Sequence, residues 1–525
     1  MAFYPCAIAN CIFDTLVYEN SCYACRQRFC FQHYRHPLHE CSLGKGKGTI
    51  GLRHTLDEEY EPEVTQLLSC LDVDSIRTEV ELLRPGHQVA TVHLPVDWED
   101  LACSYMQGQS NFHIKIDFQD DVSWFLRIRR RLSRNYTDEP LKLDIASEVA
   151  TIQALQSAGV AVPNAYARPS NSRVHPKVIY CYQSMIPGAA WAPFYHRNER
   201  SQPLSDPSIN HVKSLAKWFI NMEKAKFDKV GSITCQKDAT GFAVGPSIDR
   251  YPYHYARPYF LGLFHTSADR WIATIEARIQ MILERRYGSH EFELWMYLAL
   301  LEAKELVRGC EEMRRTGPFF IKHDDDEYDH IRANEEGEVT GVIDWEWSYT
   351  TTKYEAFISP SGYLPDEFFQ GTNDSLSTLE TALMEAYISF ERPDLADCVK
   401  NGRKYHRLND MLKWMMFVPA HLDGLYRAFN EIPDATPTKT QTVQERVLEL
   451  VEKYKDNAGL KYLLENPLPR FPVEDVFVPA EIPGGRRRKK KKTLQVTTED
   501  GKLPTVSNGE LLSGTSHDEQ PIDRE

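Results

Sequence analysis

The first 41 residues contain nine cysteine and histidine side chains, and eight of them, all except His36, follow a spacing typical of zinc ligands. These eight follow the pattern C-x4-C-x10-C-x2-C-x4-C-x2-H-x5-H-x-C and are Cys6, Cys11, Cys22, Cys25, Cys30, His33, His39 and Cys41. A closed structural zinc site takes four nitrogen or sulfur ligands, and a closely spaced pair supplies two of them at low entropic cost. The segment therefore predicts two zinc ions.

A disulfide cluster is the alternative interpretation of these cysteines. Disulfides persist mainly in oxidising compartments and need no interleaved histidines, so the mixed pattern favours zinc. Because protein ligands would fill every coordination position, we expect the segment to bind a partner and not to catalyse a reaction. So short a segment buries little apolar area, and metal binding should supply its folding energy.

The run CYACRQRFCFQHYRHPLHEC, with Phe29 before Cys30, resembles the AN-one-type (stress-associated protein) zinc finger. The resemblance implies a small treble-type fold over 1–45 whose ligand pairs cross-brace, and a role in docking a protein partner. It assigns Cys6, Cys11, Cys30 and His33 to one zinc ion, and Cys22, Cys25, His39 and Cys41 to the other.

A second group of residues suited to chemistry lies at 319–348, in the run FFIKHDDDEYDHIRANEEGEVTGVIDWEWS. The pattern predicts a strand, an acidic loop and a two-stranded hairpin from His330 to Ile343, with Asp325 and Asp344 on loops beside it. Phosphoryl transfer uses such a pair, because one carboxylate orients or deprotonates a hydroxyl and the other holds the magnesium ion. Runs of charge usually face water, so a solvated acidic loop is the plain alternative.

The spacing in this segment resembles the catalytic loop and metal-binding strand of the aminoglycoside phosphotransferase family, which shares its two-lobed fold with protein kinases. The matching residues are His323, Asp325, Gly341, Asp344 and Trp345. The resemblance covers 100–430 and implies that the chain uses ATP and magnesium. It makes His323 and Asp325 catalytic, with Asp325 as the base, and Asp344 the magnesium ligand. The run K-H-x-D-D-x-x-D-H is similar to that of fungal members, so the resemblance implies a fungal type in which His330 is a subgroup feature.

The same resemblance assigns nucleotide-binding residues in the small lobe. Arg127 would meet the nucleotide phosphates in place of a lysine and would pair with Glu148 on the following helix. Gly108 to Asn111 would form the turn beside the phosphates. Met185, just before a Pro-Gly turn, would be the hinge between the lobes.

His330 departs from the family pattern, because the family carries a metal-binding asparagine at this position. Magnesium prefers oxygen ligands, and imidazole is a poorer partner for it. We assign His330 to the metal site, and neighbouring Asp329 could supply the missing oxygen. The substitution favours the alternative that the kinase-like domain is a catalytically weak or inactive scaffold.

The elements that must position these residues are predicted from periodicity. The run NFHIKIDFQDDVSWFLRI alternates apolar and polar residues around Asp120–Asp121, which predicts a hairpin. Apolar residues from 143 to 155 recur at helical spacing, and Gly159 ends that helix. KVIYCYQSMIPG predicts a further strand, and residues 205–315 are dominated by helical patterns.

The predicted fold class is α+β, with a zinc finger, a two-lobed kinase-like domain and a disordered tail. The predicted order is a two-zinc finger at 1–45, a linker and lead-in segment at 46–100, a small β-rich lobe at 101–190, a helical lobe at 191–470 and a tail at 471–525. The tail contains a basic run, Arg486 to Lys492, which could be a nuclear signal, a nucleic-acid patch or a solvated segment.

Composition and charge limit the classes of function. The net charge of -14 argues against a general nucleic-acid coat. The chain begins without a signal-peptide pattern and contains no apolar run of membrane-spanning length, so we expect an intracellular protein, cytoplasmic or nuclear. The cysteines beyond the finger are scattered, as expected for reduced thiols.

Two functions are consistent with these patterns. In the first, the kinase-like domain transfers phosphate from ATP to a hydroxyl of a small molecule, and the finger docks a protein partner. In the second, both parts serve protein interaction. The acidic loop at 324–329 would suit an amine-bearing substrate by charge complementarity.

Overall fold

The computed structural model of the chain describes most residues between 61 and 466. The described residues are 4–5, 14–15, 61–103, 106, 108, 110–131, 137–191, 204–235, 241–250, 253–254, 257–284, 290–326, 328–371, 375–413, 417, 419–432 and 443–466. The chain divides into one compact unit, 1–470, and a second, 471–525, in which no residue is described. The predicted tail and its basic run therefore lie outside the described residues.

The amino-terminal segment is described at two places. Strands β1 (Tyr4–Pro5) and β2 (Asp14–Thr15) pair in an antiparallel register that joins Tyr4 to Thr15. All eight predicted zinc ligands lie outside the described residues, so the zinc finger stays a prediction.

A five-stranded antiparallel sheet forms the centre of the small lobe. Its strands are β3 (Val89–Val92), β4 (Asn111–Phe118), β5 (Ser123–Arg129), β6 (Ala165–Ala167) and β7 (Tyr180–Ser184), in the spatial order β3-β4-β5-β7-β6. The hairpin of β4 and β5 confirms the predicted one, and Asp121 in its turn has a left-handed φ of 62°. The predicted strand in KVIYCYQSMIPG is β7.

Alternate residues of β4 point to opposite faces of this sheet. Phe112, Ile114 and Ile116 are fully buried in an apolar cluster that also contains residues of helices α1 (61–68) and α2 (Val73–Leu83). The residues between them point to the opposite face, where the predicted site residues lie. The two helices thus cover the back of the sheet and leave its front for the site.

The small lobe begins earlier than its predicted boundary at residue 101. Helices α1 and α2 and strand β3 belong to it, and all three lie within the predicted lead-in segment at 46–100. A short helix, α3 (Trp98–Cys103), follows β3. The lead-in residues belong to the lobe because their buried apolar side chains, among them Val64 and Ile76, complete its core.

Helix α4 (Asp138–Ser157) packs beside the sheet and confirms the helix predicted before Gly159, which has a left-handed φ of 75°. Its buried apolar residues are Leu141, Ile145, Val149, Ile152 and Leu155. Asp144 and Glu148 are buried as well, one turn apart on the same helix. The helix therefore presents two carboxylates to the sheet.

A helical lobe with three small antiparallel sheets follows β7. Its helices are α5 (Asp206–Met222), α6 (Ser267–Leu283), α7 (His290–Gly309), α8 (Lys353–Ala356), α9 (Thr378–Ser389), α10 (Pro393–Lys400), α11 (Arg403–Lys413), α12 (Pro419–Phe429), α13 (Val443–Lys453) and α14 (Ala458–Glu465). Its strands are β8 (Ala189–Ala190), β9 (Lys226–Phe227), β10 (Ile233–Cys235), β11 (Phe242–Val244), β12 (Phe319–Lys322), β13 (Ile331–Ala333), β14 (Val339–Val342) and β15 (Tyr349–Thr351). The sheet orders are β14-β13-β8, β15-β12-β9 and β10-β11.

The stretch predicted to be mainly helical, 205–315, is helical in α5, α6 and α7. Between α5 and α6 the chain instead forms β9 to β11 and loops. Glycine and proline interrupt helical hydrogen bonding there, as at Gly231, Gly245 and Pro246. One of these loops brings Arg250 to the site described below.

The predicted hairpin after the acidic loop is confirmed as β13 and β14. Strand β13 begins at Ile331, one residue after the predicted start at His330, because His330 lies in a short 3₁₀ turn before it. Strand β14 ends at Val342, one residue before the predicted end at Ile343. Gly337, in the connection, has the left-handed φ of 85° that the turn requires.

The segment after β7, which the sequence predicts to be a hinge, packs against this hairpin. Gly188 has a φ of 93°, and a Cβ atom there would lie 2.3 Å from the Ala333 carbonyl oxygen. Thr340 Oγ1 on β14 donates a hydrogen bond of 2.5 Å to the Pro187 carbonyl. The hinge and the hairpin are therefore packed backbone against backbone.

This arrangement of an antiparallel sheet with flanking helices, followed by a helical lobe, agrees with the predicted α+β class. Within the described ranges, no helix combines the length and the apolarity needed to cross a bilayer.

Candidate active site

Arg127 on β5 is buried and contacts three carboxylates. Its Nε atom lies 3.2 Å from the Glu148 carboxylate on α4. Its Nη2 atom pairs with Asp344 Oδ1 and lies 3.4 Å from Glu346 Oε2. The structure thus brings together Arg127, Glu148 and Asp344, which the sequence placed in three separate elements.

Arg129 forms a second layer of the same network. It lies two residues beyond Arg127, so both side chains point to the same face of the sheet. Arg129 pairs with Asp144 on α4 and with Glu346. Asn111 Nδ2 also donates to Glu346 Oε2, at 2.9 Å. Sequence reasoning missed Arg129, Asp144 and Glu346.

The network holds four carboxylates against two guanidinium groups. Burial raises the pKa of Glu148 and raises that of Asp144 to about 7. Burial would also raise the pKa of Asp344, but the nearby Arg127 guanidinium outweighs this and holds it well below its usual range. The excess of carboxylates makes this part of the site suited to a cation.

Asp344 is held in an unusual backbone conformation. Its φ of 66° lies in the left-handed region, which few residues other than glycine adopt. Such a conformation is maintained by the surrounding structure, and it occurs often at functional sites. It directs Oδ1 to Arg127 and places Oδ2 3.5 Å from His330 Nε2.

His330 connects the two segments that carry the predicted carboxylates. Its Nδ1 atom lies 2.6 Å from the Asp325 carbonyl oxygen, and its Nε2 atom faces Asp344 and, at 3.7 Å, Asp329. Burial would lower the pKa of His330, but the carboxylates of Asp344 and Asp329 outweigh this and raise it. His330 therefore lies beside both Asp325 and Asp344.

His323 is buried, and its contacts favour a positioning role. Its Nε2 atom lies 2.9 Å from the Ile343 carbonyl oxygen, and its ring packs on Trp345 at 4.6 Å between centroids. Burial lowers its pKa, so the ring is neutral and Nε2–H donates to the carbonyl. His323 thus ties the acidic loop to the end of β14.

The acidic run has cationic partners. Asp324 and Asp325 lie 3.0 and 3.3 Å from Lys413 Nζ on α11, and Asp325 also lies 3.6 Å from Arg250. Asp326 pairs with Lys322. The three side chains are only 14%, 20% and 15% exposed, so the interpretation as a solvated loop is wrong.

Asp325 is ionised in this environment. Burial would raise its pKa, but Lys413 and Arg250 outweigh the effect and lower it. Arg250 is itself held in place, because its guanidinium lies 4.3 Å from the centre of the Trp347 ring. Sequence reasoning missed Lys413 and Arg250, which lie far from the acidic run in the chain.

The remaining predicted nucleotide-binding residues lie at the start of β4 and after β7. The Gly108 N–H donates to the Asn111 carbonyl at 2.8 Å, which closes a tight turn before β4, and the Gly108 carbonyl accepts from Arg130. Asn111 is buried against Glu346. Met185 is 43% exposed in the hinge, and its N–H donates to the Ser123 carbonyl.

The donor set fits a divalent cation in part. Two side chains, Asp344 and His330, approach each other, but no group of three or more His, Cys, Asp or Glu residues among the described residues is arranged to hold a metal ion. Magnesium in nucleotide sites often has one or two protein ligands, with phosphate oxygens and water completing its coordination. The pair therefore fits a metal that arrives with a nucleotide, and not a resident one.

Comparisons with known proteins give only distant similarities. No family model and no curated protein matches this chain. A solved structure of a thermostable mutant of aminoglycoside phosphotransferase APH(4)-Ia is 15% identical with a TM-score of 0.36, over 71% of this chain and 98% of that one. Macrolide 2'-phosphotransferase MphH from Brachybacterium faecium is 16% identical with a TM-score of 0.34, over 70% and 100% of the two chains. Ethanolamine kinase from Plasmodium vivax is 11% identical with a TM-score of 0.37, over 79% and 91%. Similarities of this size do not define the activity of this chain.

Proposed function

We propose that the chain transfers the terminal phosphoryl group of ATP to a hydroxyl group of a small molecule. The observation that carries this proposal is the position of Arg127, which pairs with Glu148 and with Asp344, next to the loop that carries Asp325. A fixed cation, a metal-binding carboxylate and an ionised base are the groups that phosphoryl transfer requires.

Each group has a defined task in this proposal. Arg127, oriented by Glu148, binds phosphate oxygens through its planar guanidinium. Asp344 and His330 hold a divalent cation, which neutralises charge on the phosphates when bound. Asp325 orients the substrate hydroxyl and accepts its proton in the transition state. The lowered pKa keeps this carboxyl ionised, so that it can accept a hydrogen bond from the hydroxyl. His323 keeps the loop in place.

The charges around Asp325 bear on the class of substrate. Because Asp324 and Asp325 are already paired with Lys413 and Arg250, the acidic loop attracts an amine less than its sequence suggests. A substrate that brings its own carboxylate or phosphate would meet these two cations as its hydroxyl reaches Asp325. An anionic hydroxyl compound therefore fits better than the amine-bearing substrate expected from the sequence.

A catalytically inactive scaffold is the second candidate. The direct ion pair of Arg127 with Asp344 favours it, because the pair occupies two groups that would otherwise contact the nucleotide and its metal ion. In either case, the amino-terminal zinc ligands would form a docking module for a protein partner, as the resemblance to zinc fingers implies.

Nucleotide binding separates the two candidates. The full chain is titrated with the ATP analogue AMP-PNP, with and without a divalent cation, and binding is followed by calorimetry. The enzyme proposal requires tighter binding with the cation present, and loss of that gain in Asp344→Ala. If the cation brings no gain with either Mg²⁺ or Mn²⁺, the enzyme proposal fails and the scaffold remains.

A further inference from the structure

The hydrogen bond between His330 and Asp325 determines which ring nitrogen is available to a ligand. A carbonyl oxygen can only accept a hydrogen bond, so Nδ1 of His330 carries a proton and donates it to the Asp325 carbonyl at 2.6 Å. A cation that binds at Nε2 displaces the proton that the neighbouring carboxylates favour there, and the ring then offers its Nε2 lone pair to the cation. The Nε2 atom faces Asp344 Oδ2 at 3.5 Å.

This is the arrangement of a histidine that binds a metal. Metal-binding histidines usually donate their second ring N–H to a backbone carbonyl or a carboxylate, which fixes the tautomer and orients the ring. Two ligand atoms that are each about 2.1 Å from one metal ion lie roughly 3.0 Å apart in octahedral coordination and about 3.4 Å apart in tetrahedral coordination. The separation of His330 Nε2 from Asp344 Oδ2 is close to the tetrahedral value.

The neighbouring side chains leave His330 Nε2 and Asp344 Oδ2 facing each other. Arg127 occupies the other oxygen of Asp344, and the His330 ring lies against the ring of His323 at 5.6 Å between centroids. Asp329 Oδ1 is 3.7 Å from His330 Nε2, but its side chain is 52% exposed and faces water. Asp344 Oδ2 and His330 Nε2 are therefore the two protein atoms that converge.

A mixed nitrogen and oxygen donor set changes the preferred cation. Mg²⁺ takes oxygen ligands and retains water, whereas imidazole nitrogen suits several first-row transition metals. Mn²⁺ shares the oxygen preference of Mg²⁺ but accepts a nitrogen ligand more readily than Mg²⁺ does. We propose that the nucleotide site formed by Asp344 and His330 selects a divalent transition metal, such as Mn²⁺, over Mg²⁺, with His330 Nε2 as a direct ligand. This rests on the proposed function, since nucleotide phosphates must supply further ligands.

The test compares Mn²⁺ with Mg²⁺ on the full chain in the presence of AMP-PNP. Mn²⁺ is the probe because the predicted finger ligands would take up Zn²⁺. Calorimetry at pH 8 gives the ratio of the two cation affinities for wild type and for His330→Asn. We expect the preference for Mn²⁺ to fall at least about tenfold in the variant, because an amide oxygen replaces the imidazole.

A spectroscopic measurement shows directly whether nitrogen binds the metal. Pulsed electron paramagnetic resonance of the Mn²⁺ complex should show coupling to a histidine ¹⁴N nucleus, and His330→Asn should remove it. The matched control is His87→Asn, since His87 lies on the small lobe beside Asp120 and should leave both the coupling and the affinity ratio unchanged.

The outcomes separate this inference from the proposed function. If both metals promote AMP-PNP binding but the wild type shows no nitrogen coupling and has the same affinity ratio as His330→Asn, then the metal preference is overturned and the nucleotide site stands. If neither metal promotes AMP-PNP binding, the proposed function itself fails, and the metal preference fails with it.

Discussion

Arg127 on β5 and Asp344 after β14 form an ion pair although 217 residues separate them in the chain. The pair connects the sheet of the small lobe to the hairpin of the helical lobe. It also brings the candidate phosphate-binding cation into contact with the candidate metal-binding carboxylate. Binding of a nucleotide with its metal would have to replace this contact with contacts to phosphate and metal.

Two neighbouring aspartates should behave differently when their charge is removed. Asp325→Asn should abolish ADP formation and leave AMP-PNP affinity nearly unchanged, since a base acts mainly in the transition state. Asp326→Asn should instead lower the free energy of unfolding by roughly 1–3 kcal/mol, because it leaves the buried Lys322 ammonium without its carboxylate. Kinetics and urea unfolding measure the two effects, and equal loss of activity per folded molecule in both variants would contradict these roles.

The buried network of Arg127 should contribute strongly to stability. Arg127→Met leaves Glu148 and Asp344 without their shared cation, and we expect a loss of about 3–5 kcal/mol in the free energy of unfolding. The control is Arg84→Met, which removes an exposed pair with Asp120 and should change stability little. Denaturant unfolding of both variants measures the difference. Similar small losses would show that the network is not a stabilising unit.

Stability should fall in acid partly because of His211. Burial lowers the pKa of this ring to about 3, and the ring stacks on Trp191 at 4.7 Å between centroids. The unfolded chain therefore binds the proton more readily than the folded one, and stability falls as the pH drops below about 6.5. His211→Phe keeps an aromatic ring and should remove roughly 2 kcal/mol of this loss at pH 5. Urea unfolding at pH 7.5 and pH 5 tests this, and equal losses in both proteins would exclude it.

Arg250 should make the site prefer an anionic hydroxyl compound to a cationic one. Glycolate and ethanolamine are two-carbon hydroxyl compounds of opposite charge, and we expect glycolate to stimulate ADP release more than ethanolamine does. Arg250→Gln should reduce this preference, because the guanidinium beside Asp325 is lost. ADP release is measured with each compound for both proteins. A preference for ethanolamine that is unaffected by Arg250→Gln would restore the amine-bearing substrate.

The amino-terminal segment should carry two zinc ions per chain. Metal analysis of the purified protein counts them, and a strong chelator should remove them. The thermal unfolding of the part of the chain at 61–466 should stay unchanged, since each closed zinc site stabilises its own small fold. A value of one zinc ion or none would contradict the prediction.

Local patterns were enough to predict much of the fold. The hairpin around Asp121, helix α4 and the hairpin before Asp344 each follow from periodicity and turn residues close together in sequence. No local signal in the lead-in segment shows that α1 and α2 pack against a sheet formed later in the chain. In general, local patterns do not show which residues that are distant in sequence will pack together.

The candidate site shows the same division. Arg127 and Glu148 were paired through a resemblance, but their neighbours Arg129 and Asp144 were missed. A signal did exist for them, because residues two apart on a strand and four apart on a helix share a face. No comparable signal connects the acidic run to Lys413, which lies 88 residues beyond Asp325.

The packing of Gly188 against Ala333 determines which parts can move as rigid bodies. Because the hinge backbone is bound to β13 and β14, a rotation of the small lobe has to pivot on its β7 side, where Met185 is exposed. In such a rotation Asp344, just after β14, would stay with the helical lobe, and Arg127 on β5 would move with the small lobe. A separation of the two lobes would therefore break the Arg127–Asp344 pair together with the Arg129–Glu346 pair.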